Sequence, residues 1–159
     1  MPVIRNYCHK PVIELELNLC DGEGFIYDKN QKDYLNWIPY KFRITDGKNE
    51  YELDEMSFSL EGLKCFLNKI DMALNERNIT TEYKRIEYCG SENEFEIVFQ
   101  NVDDYYEDLI IEMEVWVNAA CLPIQQPGYS IGYQFNISLK DLEKFSEDLK
   151  EQLKKLLES

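Results

Sequence analysis

The chain has 159 residues, 31 of them acidic against 17 basic, for a net charge of −14 at pH 7. A field of that sign repels phosphate backbones and anionic lipids, which argues against direct nucleic-acid or membrane binding and for a cationic partner. With 44% hydrophobic residues the chain is too apolar for an acidic disordered segment, and its length suits one domain spanning 1–159. The five cysteines include no Cys-x-x-Cys pair, and no secretory leader or apolar run of membrane-spanning length is visible, so reduced thiols and a cytoplasmic location are expected.

The segment ahead of Pro11, with the lone His9, is expected to be flexible. From Pro11 to Cys20, Ile13, Leu15, Leu17 and Leu19 alternate with Glu14, Glu16 and Asn18, the period of a half-buried strand. A polar loop follows from Asp21. Between Trp37 and Thr45 the even positions Ile38, Tyr40, Phe42 and Ile44 form a second apolar face, with Pro39 placing an edge or a strand start there. Asp46-Gly47-Lys48-Asn49 is a hairpin turn signal, and Tyr51 and Leu53 begin a third strand.

The period then changes to that of a helix through Leu60, Leu63, Phe66, Leu67, Ile70 and Leu74, with Ser57 or Ser59 as cap and a stop across 75–78. Strands are expected over 83–89, 95–102 and 109–118, the first two joined by a Gly90-Ser91-Glu92-Asn93 hairpin. In the last of them Ile111, Met113, Val115 and Val117 face opposite Glu112, Glu114 and Trp116. A loop over 119–129 leads to a strand through Ile131, Tyr133, Phe135 and Ile137. Ser138 then caps a C-terminal helix striped by Leu142, Phe145, Leu149, Leu153 and Leu156. No internal repeat is read. The order of elements implies an α+β fold: an antiparallel sheet of about six to seven strands with two helices packed on one face. The other face would carry Glu14, Glu16, Glu94, Glu96, Glu112, Glu114 and Trp116.

No phosphate-binding loop, dinucleotide fingerprint, zinc motif or nucleophile elbow is found, so neither cofactor nor metal is expected and the chain is read as a non-enzyme. Paired carboxylates such as Glu112 and Glu114 are usually the wet side of a sheet, and without a desolvating pocket they keep ordinary acidity. The segment Asp103-Asp104-Tyr105-Tyr106-Glu107-Asp108 stands out. Four carboxylates around two tyrosines suit a basic protein surface, because carboxylates steer cations and tyrosine supplies rigid contact area. The loop 21–34 repeats that composition with Asp28, Asp33 and Tyr34. Together with Glu112, Glu114 and Trp116, these residues are the candidate partner-binding set.

The strand Ile13-Glu14-Leu15-Glu16-Leu17 resembles the opening of the WapI-like immunity proteins, small cytoplasmic proteins that accompany bacterial polymorphic and contact-dependent toxins. So do Trp37-Ile38-Pro39-Tyr40-Lys41, the helix start Phe58-Ser59-Leu60-Glu61-Gly62-Leu63, and the ending from Gly132 to Phe145. The loop 21–34 has no counterpart in that pattern. The resemblance implies a monomer that binds a basic, nuclease-type toxin domain and occludes it by bulk or by charge mimicry. Two rival readings are a carboxylate-based metal-dependent hydrolase on the Glu-rich sheet face and an adaptor that self-associates through its C-terminal helix.

Overall fold

A computed structural model describes residues 1–19, 25–79, 85–100, 110–123 and 128–158, with the backbone alone for 54, 55 and 76–79. Eight strands are described: β1 (Val3–Arg5), β2 (Glu14–Leu19), β3 (Trp37–Thr45), β4 (Glu50–Ser59), β5 (Ile86–Cys89), β6 (Phe95–Gln100), β7 (Ile110–Asn118) and β8 (Ser130–Ser138). Helix α1 (Leu60–Ile79) follows β4 and helix α2 (Leu139–Glu158) follows β8, each without a connecting residue.

The α+β class is as the alternation implied, but the strands do not form one sheet. The described residues make two four-stranded antiparallel sheets, each a meander in chain order, β1-β2-β3-β4 and β5-β6-β7-β8. A tight turn would have let β5 pair with β4; instead the 20 residues of α1 lie between them. Nor do the helices share one face of one sheet. Helix α1 touches β4 and β5, whereas α2 touches β8, β1 and β2, so each bridges both sheets.

Among the described residues each half is therefore four strands and a helix, and the local sequence repeats at the strand-to-helix junction. Ser59-Leu60, Leu63 and Phe66 have the spacing of Ser138-Leu139, Leu142 and Phe145. The roles repeat as well. Ser59 Oγ accepts a hydrogen bond from Gly62 N at 2.9 Å and Ser138 Oγ from Asp141 N at 3.1 Å, satisfying amides that the first helical turn leaves free. Both leucines and the phenylalanine of each copy are buried.

The inner faces of the sheets meet in one core. Phe42 of β3 stacks on Phe95 of β6 with centroids 4.8 Å apart, and Phe58, Phe66 and Tyr88 complete an aromatic cluster around Phe95. The N-terminal segment is not loose: Ile4 is fully buried in β1, paired with Leu15, and Tyr7 N donates to Asn136 O at the edge of β8. Pro39 lies past Tyr40, the last β3 residue with a described partner on β2. Among the described residues no β2 residue stands opposite Pro39, which suits a residue without an N–H.

The β3–β4 turn is held by Asp46. Its carboxylate accepts Asn49 N at 2.7 Å, Lys48 N at 2.9 Å and the Tyr133 hydroxyl at 2.8 Å, while Gly47 supplies the φ of +88° the turn requires. These donors, the Asn49 and Lys48 amides first, hold the Asp46 carboxyl down to about 2. A lowered folded-state pKa adds stability that is full above the ordinary carboxylate range and is lost as pH falls through the folded value. Between about pH 4 and pH 2, the midpoint in urea should therefore fall more steeply with acid for the parent than for Asp46→Asn.

Candidate partner-binding surface

Both sheets turn a polar face outward, and the two faces differ in how their charges are used. On the first, Arg43 of β3 projects between β2 and β4. Its Nη2 lies 2.8 Å from Glu16 Oε2 and 3.2 Å from Glu14 Oε1, and its Nη1 is 3.0 Å from Glu50 Oε1. Arg5 Nε reaches Glu14 Oε2 at 2.9 Å. Hydrogen bonds to Glu16 and then Glu50 raise the Arg43 pKa further above its ordinary value, outweighing the slight burial that would lower it. Arg43 thus draws three carboxylates of this face together, while Glu52, opposite it on β4, has no ion pair among the described residues.

The second outer face carries Glu96 and Val98 on β6, Glu112, Glu114 and Trp116 on β7, and Gly132 and Gln134 on β8. The register aligns Glu96, Trp116 and Gly132 in one row across the sheet and Val98, Glu114 and Gln134 in the next. Glu112 Oε1 accepts from the side-chain amides of Gln100 and Gln134. Arg85 pairs with Glu87 and sets Nη2 3.2 Å from Glu114 Oε2, an oxygen that is closed off from solvent and accepts no hydrogen bond. Trp116 is 39% exposed. Its six-membered ring covers Gly132, where a Cβ would sit 2.3 Å from the indole Cε3. The alternation of β7 placed Glu112, Glu114 and Trp116 outward, and the structure brings them onto one face with Glu96. Gly132 was missed, although a glycine inside an alternating strand signals a close approach from a neighbour.

Two expectations about the polar faces change. Glu14 and Glu16 belong to the other sheet from Glu112 and Glu114. Glu94 does not point outward at all: it is buried, with Oε1 accepting from the Tyr40 hydroxyl at 3.0 Å and Oε2 from Glu92 N at 2.9 Å. Burial, then the Glu94 charge and its hydrogen bond, drives the Tyr40 hydroxyl far above its usual pKa. Glu94 joins the two sheets rather than meeting solvent.

Asp103, Asp104, Tyr105, Tyr106, Glu107 and Asp108 lie outside the described residues. Asp28, Asp33 and Tyr34 are described, in the segment leading into β3. Asn36, nearly fully buried, accepts from Asp28 N at 3.1 Å and donates to Asp28 O and Lys32 O, which fixes that segment. Asp28 Oδ1 is occupied by Asn30 N at 2.9 Å, and Asp33 by Lys64 Nζ at 2.8 Å. Tyr34 remains about half exposed, with Lys32 Nζ 6.0 Å from its ring centre. Leu35 and Trp37 flank it with similar exposure and Ile26 is almost fully exposed. These residues lie in the segment leading into β3 of the first sheet, whereas Glu112, Glu114 and Trp116 lie on β7 of the second.

Among the described residues no three His, Cys, Asp or Glu side chains converge as metal ligands would, and no described helix is long and apolar enough to cross a membrane. No curated protein and no solved structure matches the chain. The model of the immunity protein WapI-like family matches residues 13–157, from β2 through nearly all of α2 and so every described strand but β1, and the chain belongs to that family.

Proposed function

We propose that this protein is the cytoplasmic immunity partner of a toxin, binding a cognate cationic toxin domain one to one and covering its working surface without turnover. Membership of the immunity family over residues 13–157 carries the reading. The net charge of −14 supplies its physical side: it speeds encounter with a basic domain and repels the nucleic acid that a nuclease-type toxin would cut. The protein acts as a single-domain monomer, by binding and not by chemistry. The acidic, tyrosine-bearing segment 103–108 and the exposed Tyr34 are further contact candidates. Asp28 and Asp33 are engaged within their own segment and would contribute chiefly by orienting it.

The test is calorimetric titration against the C-terminal domain encoded immediately upstream of this chain. A one-to-one complex is expected, weakening as salt screens the exposed charges. Absence of binding at low salt would overturn the reading.

A further inference from the structure

Among the described residues the two outer faces hold equivalent places in a repeated four-strand-and-helix plan, yet their carboxylates are served differently, with only Glu52 of the first face lacking an ion pair. On the first sheet, Glu14, Glu16 and Glu50 all bond to Arg43. On the second, Glu87, Glu96, Glu112 and Glu114 face one guanidinium, Arg85, which serves Glu87 and Glu114. Among the described residues Glu96 and Glu112 have no ion pair, and the hydrogen bonds to Glu112 come from neutral amides that leave its charge in place. Clustered like charges that the fold does not offset cost some stability, and they favour a cationic group on this face.

Trp116 says where that cation would sit. Its indole stands on the central strand β7, opposite Glu96 and two residues from Glu114, and it is fixed by lying over Gly132. An aromatic ring immobilised before binding loses little freedom on contact. A guanidinium or ammonium over an exposed indole is attracted to the negative face of the ring, and the flanking carboxylates add charge-assisted hydrogen bonds. Val98 and Ile110 share the outward parity but are fully buried, so the open part of the face is the end bearing Glu96, Trp116 and Gly132.

We infer that this open end of the second sheet is the docking surface for the toxin domain, and that Trp116 with Glu96 receives an arginine or lysine side chain from it. The inference rests on the immunity reading and specifies its contact surface. A second copy of this chain is disfavoured there, since two such faces would oppose like charges.

The probe is a hexa-arginine peptide titrated at low salt into the isotope-labelled protein and followed by amide and indole NMR signals. The largest shifts are expected at the Trp116 indole N–H and at the Glu96, Glu114 and Gly132 amides, with the surroundings of Arg43 unmoved. Trp116→Ala and Glu96→Gln should each weaken peptide binding about three- to tenfold, with melting curves reporting that both variants fold. Shifts centred instead on the first sheet, on Trp37 or on 103–108 alone would overturn the inference. So would unchanged affinity in both folded variants, or concentration-dependent shifts of this face without peptide, which would mark a self-contact. With the upstream-encoded domain the two readings separate. If the parent binds it and both variants bind equally well, the surface assignment fails and the immunity reading stands; if the parent itself does not bind, the immunity reading fails whatever the peptide shows.

Discussion

Phe95→Ala should destabilise the protein by about 3–5 kcal/mol, the range for removing a buried aromatic ring from a core that cannot collapse into the gap. Phe95 is nearly completely buried and stacks on Phe42 across the two sheets at 4.8 Å. Tyr88 and Tyr40 stand 5.9 Å and 6.0 Å from it, and Phe58 and Phe66 6.1 Å and 6.2 Å. These neighbours come from both sheets and from α1, so none can move into the void without leaving another contact. Total stability of a domain this size is about 5–15 kcal/mol, which makes the loss a large share of the whole. Urea unfolding measures it, with Ile26→Ala, 89% exposed, as a control expected within about 0.5 kcal/mol of the parent. A cost under about 1.5 kcal/mol for Phe95→Ala would mean that the sheets do not share one core.

Gly90→Ala should cost about 2–4 kcal/mol through an electrostatic route. The added Cβ would sit 2.2 Å from Glu94 Oε1 and 2.7 Å from Oε2, so the carboxylate must leave its place. In doing so it loses the Tyr40 hydroxyl and the Glu92 amide, and an unsatisfied buried charge is expensive. Gly90 does not have a positive φ, so alanine suits the backbone. The three atoms nearest the added Cβ all belong to the Glu94 carboxyl group. In a Glu94→Ala background the same substitution should therefore be close to neutral, and the double-mutant cycle should return a coupling of about 2 kcal/mol or more. Additive costs would contradict the packing of Gly90 against Glu94.

The sequence alone revealed which residues alternate, and so which side of each strand is apolar. Ile111, Met113, Val115 and Val117 are all buried as their period indicates, the Ser138 cap was readable directly, and for the first helix Ser59 was one of two serines offered. Alternation says nothing about which strands share hydrogen bonds, so the division into two sheets was not legible. The repeat was missed because it lies in three apolar residues and a cap, not in an extended match. Glu94 was misplaced because parity was carried back from Glu96 through the hairpin. Asn93, with φ of +56°, turns the chain there and sends the next side chain inward. Of the candidate surface, β7 declared its outward residues, whereas the contribution of Gly132 depends on register across to Trp116. The ion pairs of the first face likewise depend on Arg43 reaching β2 and β4, a relation between strands and not within one.

Whether the protein neutralises a toxin by stoichiometric capture is tested most directly by titrating it into the cognate toxin domain that the immunity reading expects the upstream gene to encode, and following that domain's own toxic activity, at low and at raised salt. Capture predicts a linear loss of activity that ends at one equivalent, with the end point blurring as salt weakens the complex. Activity that persists at several equivalents in low salt, or that is lost at catalytic amounts of this protein, would contradict it.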